Sequence, residues 1–159
     1  MPELNQGRRL HSSTAFNSST VYVFCGRSYG TMNSIERWVV GEEKWTTIQT
    51  SGDTLRGKLN HKSVQVDNDF ILVFGGRFDK TSYKFYPKNN QVEKAEDMSE
   101  QCEMESMPEP FYDVNTKAFY VCGKDFAFED HISHIHKFDK DNKWSVVVEN
   151  YEEKAVSFD

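Results

Sequence analysis

Three histidines close together in the sequence have the clearest potential for metal chemistry. His131, His134 and His136 follow Asp125 and Asp130, and imidazoles together with carboxylates are common zinc ligands. In an extended strand, alternate residues point to the same side, so His134 and His136 would share one face. No cysteine lies nearby to complete a common zinc site, and the spacing matches no standard ligand pattern. We therefore interpret these histidines as loop residues and predict neither a metal site nor a cofactor.

The sequence lacks the short motifs that identify common catalytic sites. It contains no Gly-x-Ser-x-Gly, no Walker phosphate-binding loop and no dinucleotide-binding fingerprint. Pairs of carboxylates are abundant, but they lie in predicted turns. These observations favour a protein that is not an enzyme.

Basic residues form the second group with chemical potential. Arginine pairs with carboxylates through two parallel hydrogen bonds, so a cluster of arginines could recognise an acidic peptide. The chain as a whole carries a net charge of −6, which argues against a general nucleic-acid binder. The basic residues of interest are Arg8, Arg9, Arg27, Arg56, Lys58, Arg77 and Lys80. Whether they act together depends on the elements that place them.

A repeat of about fifty residues, present three times, places these residues. Equivalent positions at intervals of 50 residues are occupied by His11, His61 and Phe111. Each copy continues with an apolar run that ends in glycine. The glycines are Gly26, the pair Gly75 and Gly76, and Gly123. Self-similarity at such a period indicates one supersecondary unit that is copied along the chain.

Each copy is predicted to form four short strands separated by polar turns. Turn clusters such as Asn17-Ser18-Ser19 and Asp67-Asn68-Asp69 consist of residues that tolerate the left-handed conformation. The second strand of each copy is almost continuously apolar, which predicts burial on both faces. The predicted strands are 10–16, 20–25, 34–40 and 44–50; 60–66, 69–75, 81–87 and 91–95; and 110–114, 117–122, 133–139 and 143–149. No helical stretch competes with them.

Large apolar residues recur near the end of each copy. The third strands end in Trp38, Phe85 and Phe138, and the fourth strands begin at Trp45, Val92 and Trp144. Together with a basic residue three positions before His11 and His61, this pattern resembles the kelch repeat. That repeat has a basic residue, a His, an apolar strand ending in Gly-Gly, an aromatic residue and a Trp. The third copy departs from the pattern, since it lacks the basic residue and the His.

The resemblance implies an all-β fold, a kelch-type β-propeller in which each copy is one four-stranded blade. One kelch-repeat domain would span 1–159, with blade 1 at about 8–50, blade 2 at about 56–97 and blade 3 at about 110–150. The glycines would let the chain turn where blades crowd together, and the aromatic residues would pack blade on blade. The structural motif residues are His11, Gly26, Trp38, Trp45, His61, Gly75, Gly76, Phe85, Gly123, Phe138 and Trp144.

Three blades form only a partial propeller, because such rings usually contain four to eight. The end blades would expose apolar faces. We expect that the chain is a piece of a longer array, or pairs with a copy of itself, or docks against another protein. The start of the chain, Met1-Pro2-Glu3-Leu4, resembles the link Met107-Pro108-Glu109-Pro110, and this favours a partial array.

The predicted strands place the basic residues on one face. In an antiparallel meander, the link before the first strand and the loop after the second lie at the same end. In kelch proteins that capture peptides, the resemblance implies that this face binds. We predict that a carboxylate-rich peptide binds to Arg8, Arg9, Arg27, Arg56, Lys58 and Arg77, with Tyr29 and Phe78 as apolar anchors. The alternative is an ordinary solvated loop face.

An acidic link at about 93–109 precedes the third copy and would reach the same face. It could fold over the arginines, meet a basic partner, or remain a solvated loop.

We expect a non-enzymatic module or scaffold for protein–protein interaction, with substrate capture for a ubiquitin ligase or cytoskeletal assembly as the settings typical of the kelch family. The alternatives are a propeller enzyme with a channel site and a self-dimerising half-propeller. No stretch approaches the ~20 apolar residues of a membrane span, and no apolar signal segment follows Met1. The odd number of cysteines, Cys25, Cys102 and Cys122, favours free thiols and a cytoplasmic location, in the cytosol or on the cytoskeleton.

Overall fold

The computed structural model describes residues 1–77, 79–98, 110–125 and 132–148. Within these ranges the chain is all-β and forms three sheets. The first sheet contains β1 (Ser12–Phe16), β2 (Thr20–Phe24), β3 (Ile35–Val39) and β4 (Thr46–Ile48). The next strand, β5 (Ser51–Gly52), belongs to the middle sheet, whose other strands are β6 (Lys62–Val66), β7 (Phe70–Phe74), β8 (Ser82–Tyr86) and β9 (Gln91–Lys94). The third sheet contains β10 (Phe111–Asp113), β11 (Ala118–Asp125), β12 (Ile132–Phe138) and β13 (Trp144–Val148). These residues include no helix long and apolar enough to cross a bilayer.

The twelve predicted strands all appear in the structure. Their ends lie within two residues of the predicted limits, except that β11 continues to Asp125 instead of ending at 122. Each sheet contains an antiparallel meander of four consecutive strands. The polar turn residues Asn17 and Asp67 adopt φ angles of 63° and 49°, as their side chains predict. The local alternation of apolar runs and polar turns therefore sufficed to predict these elements.

Strand β5 was not predicted from the sequence. It pairs in parallel with β9, with Gly52 opposite Val92. The Asp53 N–H donates to Val92 O (2.8 Å), and the Lys94 N–H donates to Asp53 Oδ2 (2.7 Å). The link that leaves the first sheet thus adds a fifth strand to the middle sheet. A strand of two residues has no alternation that a sequence pattern could reveal.

The middle sheet packs against both of its neighbours through β7. Alternate residues of a strand point to opposite faces. Ile71 and Val73 accordingly lie in a core shared with the first sheet, whereas Phe70, Leu72 and Phe74 lie in a core shared with the third. All five are buried, so the predicted burial of this strand on both faces is confirmed.

The motif aromatics of the second and third copies fill these two cores. Phe85 lies with its ring centroid 5.2 Å from that of Tyr22 and 5.7 Å from that of Phe24, both in the first sheet. Trp144 lies 5.2 Å from Phe74 of the middle sheet. These contacts agree with the expected packing of one repeat on the next.

The motif aromatics of the first copy have different surroundings. Trp38 and Trp45 contact each other at 6.2 Å within their own sheet. Trp45 Nε1 donates to Pro2 O (3.0 Å), and Asn5 Nδ2 donates to Trp45 O (2.7 Å). Residues 2–5 therefore cover Trp45, and the ring contact of each tryptophan is with the other, within the first copy.

Polar side chains join the first strands of the first and middle sheets. Ser12 Oγ lies 2.8 Å from His61 Nε2, and Thr14 Oγ1 donates to Ser63 Oγ (2.6 Å). These bonds tie β1 to the neighbouring strand β6 outside the apolar core.

Cys25 is a buried free thiol at the end of β2. Burial raises the pKa of this thiol to about 11, so it stays protonated and unreactive at neutral pH. Cys102 lies outside the described residues.

Candidate functional site

Arg8, one of the predicted binding residues, is a buried brace of the first sheet. Its Nη1 donates to the carbonyl oxygens of Cys25 (3.0 Å) and Ser34 (3.2 Å), and its Nη2 contacts the carboxylate of Glu36. The Arg8 and Glu36 side chains are each 1% exposed. The guanidinium therefore connects the end of β2 to the start of β3.

Lys58 has the same role in the middle sheet. Its Nζ donates to Gly75 O (3.0 Å) and to Thr81 O and Oγ1 (both 2.8 Å), and lies 3.1 Å from Asp79 Oδ2. Burial lowers the pKa of Lys58, and the Asp79 carboxylate opposes that shift. Burial also raises the pKa of Asp79, but hydrogen bonds from Thr81 and the charge of Lys58 outweigh this effect, so the net pKa is lowered.

These contacts correct the prediction that Arg8 and Lys58 bind a partner. Both side chains are enclosed in the protein, with the Lys58 side chain at 0% exposure, and both are bonded to the sheet that they support. The sequence had indicated only their position near one face. Their acidic partners, Glu36 and Asp79, were not predicted from the sequence. A signal was available for Glu36, because this carboxylate follows apolar Ile35 within a predicted strand.

Arg56 and Arg77 remain exposed and line a common cleft. The cleft has a volume of about 190 Å³ and includes Thr31 of the loop after β2. The Arg77 N–H donates to Leu59 O (2.8 Å). A Cβ added at Gly57 would lie 2.8 Å from Thr31 Cγ2, so this position has room only for hydrogen. The link before β6 therefore packs closely against the loop after β2. The cleft is therefore lined by loops from the first and middle sheets, and both arginines belong to its lining.

The other predicted binding residues that the structure describes are exposed and lie near this cleft. Arg9 and Arg27 exchange backbone hydrogen bonds of 2.9 and 2.8 Å, and both side chains are exposed. Arg27 also bridges to Thr31, which lines the cleft. Tyr29, in the same loop, is fully exposed at 104%. Phe78 lies outside the described residues.

Gly26 and Gly76 lie where the chain passes close to the preceding link. Their φ angles are +98° and +123°, and a Cβ at either position would lie 2.8 Å from a carbonyl oxygen, that of Arg9 or Leu59. A side chain at either position would be strained by its φ angle and would clash with backbone. Gly75 also has a positive φ (64°), whereas Gly123 lies within β11 and is described only as part of that strand.

The repeated histidine occupies two different environments. His11 is exposed, whereas His61 is 2% exposed and contacts Ser12 across the two sheets. Burial, together with the positive charge of Lys58, lowers the pKa of His61 to about 3. His61 is therefore a neutral structural residue at physiological pH.

The histidine cluster near the third sheet falls partly outside the description. His131 lies beyond the described residues, and His134 is described only by its position in β12. His136 is fully buried. Among the described residues, no group of three or more potential ligands could hold a metal ion. Of the acidic link, residues 99–109 lie outside the description, and Met98 is buried in the core with the third sheet.

Comparison with known proteins gives a fold relationship. No family model and no curated protein sequence matches the chain. Among 85 matching chains of solved structures is one described as "Structure of YjhT", with a TM-score of 0.64 and 15% sequence identity. The match covers 89% of this chain and 52% of that chain, so this chain spans about half the length of that structure. At this identity the likeness concerns the fold alone.

Proposed function

We propose that the chain is a non-enzymatic kelch-repeat module that binds a protein partner through the face bearing Arg56 and Arg77. Three meanders at intervals of about 50 residues, packed sheet on sheet, support the interpretation of each copy as one blade of a kelch-type β-propeller. The equivalent bracing contacts of Arg8 and Lys58 support it further, because they repeat a structural role along with the sequence.

The module belongs to a larger propeller or assembly. Phe111 and Val147 of the third sheet are 67% and 51% exposed, which is unusual for large apolar residues of a completed core. A solved structure of similar fold is longer, since the match covers 89% of this chain but only 52% of that one. Further blades, a second copy of the chain or another protein would each cover such surfaces.

The observation that carries the binding proposal is the cleft shared by Arg56, Arg77 and Thr31. Two guanidinium groups at one opening can bind carboxylates by paired, charge-assisted hydrogen bonds. The Asp79 carboxylate in the cleft wall is engaged by Lys58 and Thr81, so its charge is largely compensated. Tyr29, in the same loop as Thr31, offers a large exposed ring suited to anchor a partner. The partner is therefore a segment that combines acidic residues with an apolar one.

The proposal is tested with the double variant Arg56→Glu/Arg77→Glu and fluorescently labelled peptides. A peptide with alternating Glu and Leu residues is compared with its Gln counterpart by fluorescence anisotropy. We expect the wild type to prefer the acidic peptide, the preference to weaken at higher salt, and the double variant to bind it at least about tenfold more weakly.

The matched control is Lys44→Glu, a charge reversal at an exposed position remote from the cleft. This variant should bind like the wild type. Equal binding of the acidic and amide peptides, or unchanged binding by the double variant while its fold is intact, would refute the assignment of this face.

A further inference from the structure

A second cleft lies between the first and middle sheets, at the end of the strands opposite the Arg56–Arg77 cleft. It has a volume of about 250 Å³. The rings of Phe16 and Tyr22 form one wall, and Val39 and Pro87 contribute further apolar surface. Turn residues border the opening, because the β1–β2, β6–β7 and β8–β9 turns all lie at this end. A partly apolar cleft of this kind binds a ligand specifically only if polar groups orient it.

The polar group that distinguishes this cleft is the guanidinium of Arg37. Arg37 lies opposite Tyr22 in the β2–β3 ladder, so both side chains point towards the middle sheet. Its Nε is buried and has no hydrogen-bond partner among the described residues. Burial raises the pKa of Tyr22, and the nearby Arg37 charge opposes that shift. A charged donor that is withdrawn from water without a partner is costly, and an incoming acceptor would relieve that cost.

We propose that this cleft binds a small organic anion, a monocarboxylate with a compact apolar body, through the guanidinium of Arg37. The carboxylate pairs with the guanidinium, and the apolar body packs among Phe16, Val39 and Pro87. The Lys88 side chain at the cleft adds a second positive charge, against the single carboxylate of Asp69. The local charge balance thus favours an anion.

The equivalent cleft between the middle and third sheets provides an internal comparison. Its volume is similar, about 200 Å³, but three carboxylates and two lysines line it: Asp67, Asp69, Asp139, Lys117 and Lys140. Lys84 occupies the position equivalent to Arg37, opposite Leu72, and its Nζ lies 5.3 Å from the centre of the Phe70 ring. Lys84 is not among the residues that line this cleft, and its ammonium group lies over the ring of Phe70, which does line it. The anion site is therefore a property of the first cleft and not of the repeat in general.

The test titrates the full-length chain with benzoate and follows backbone amide signals by NMR. We expect saturable shifts at Phe16, Tyr22 and Val39 in the millimolar range, and no saturable shifts with benzamide, a neutral molecule of similar shape. Arg37→Gln should weaken benzoate binding at least about tenfold. Arg37→Lys should give an intermediate effect, because lysine keeps the charge but loses the planar fork.

Two controls separate this site from others. Lys84→Gln, at the equivalent position of the middle sheet, and Arg56→Gln, at the other cleft, should leave the benzoate-induced shifts at Phe16, Tyr22 and Val39 unchanged. Equal binding of benzamide, an absence of saturation, or unaltered benzoate binding by a folded Arg37→Gln would overturn the proposal. The comparison of benzoate with benzamide uses only the wild type, so it decides the question even if the variant fails to fold.

Discussion

Lys58 connects the second and third strands of the middle sheet at the position where Arg8, 50 residues earlier, connects those of the first sheet. Each cation binds a carbonyl at the end of a second strand and another at the start of a third strand. The acidic partner differs, since Glu36 lies within β3 whereas Asp79 lies in the loop before β8. The repeat therefore preserves the cation and its carbonyl acceptors, while the position of the countercharge varies.

Replacing Lys58 with Met should destabilise the protein by about 3 kcal/mol. The change leaves buried carbonyl acceptors and the Asp79 carboxylate without their donor, and breaking a buried ion pair from one side is strongly destabilising. Urea unfolding at neutral pH measures the effect. The exposed Lys44→Met serves as the control and should change stability by less than about 0.5 kcal/mol. Similar stabilities of the two variants would contradict the bracing role.

His61 should make stability depend on pH below neutrality. Its pKa is about 3 in the folded state against 6.5 for an unperturbed histidine, so the unfolded state binds the proton first as pH falls. Its stabilising effect is complete above pH 6.5 and decreases between pH 6.5 and 3, with a limiting slope of about 1.4 kcal/mol per pH unit.

Thermal and urea unfolding of His61→Gln across this pH range tests the assignment. The variant should be less stable at pH 7 but should show a flatter dependence between pH 6 and 4. His11→Gln should flatten it less, because His11 is exposed. Identical pH profiles for the wild type and His61→Gln would show that His61 does not titrate in this way.

Phe85→Ala should lower the free energy of unfolding by about 3–5 kcal/mol, because it leaves a cavity in the core between the first and middle sheets. Phe85 is 1% exposed and contacts the rings of Tyr22 and Phe24. The comparison is Phe111→Ala, the same substitution at a residue that is 67% exposed, which should cost less than about 1 kcal/mol. Chemical denaturation of both variants would reveal the difference, and comparable losses would argue against the packing described.

Gly76→Ala should destabilise the chain through both backbone strain and a clash. The φ angle of Gly76 is +123°, and an added Cβ would lie 2.8 Å from Leu59 O. Gly41 has a φ of +96° with nothing within 4 Å of its Cβ position, so Gly41→Ala isolates the strain alone. We expect Gly76→Ala to lower the unfolding free energy more than Gly41→Ala, which should cost about 1 kcal/mol. Equal losses of stability for the two variants in thermal unfolding would show that the close contact between Gly76 and Leu59 O does not contribute to the effect.

Local sequence patterns sufficed to predict the strands. Alternating apolar runs and turn clusters such as Asn17-Ser18-Ser19 depend on neighbouring residues only, and each predicted strand appears. Strand β5 escaped prediction because its two residues are ordered by hydrogen bonds to β9, about forty positions later. The pairing of sheets through Phe85 was expected from the repeat, since equivalent residues have equivalent contacts along a stacked array.

The repeat, the strand order within each copy and the charged residues near one end of the sheets all follow from local features of the sequence. Which of these charged side chains are enclosed and which are exposed depends on the folded structure. Arg8 and Lys58 are enclosed by the strands that they brace, whereas Arg56 and Arg77 reach the solvent and Arg37 lies in a cleft between two sheets. Exposure and desolvation depend on contacts between residues distant in the chain, whereas periodicity records only the local preference for a strand face.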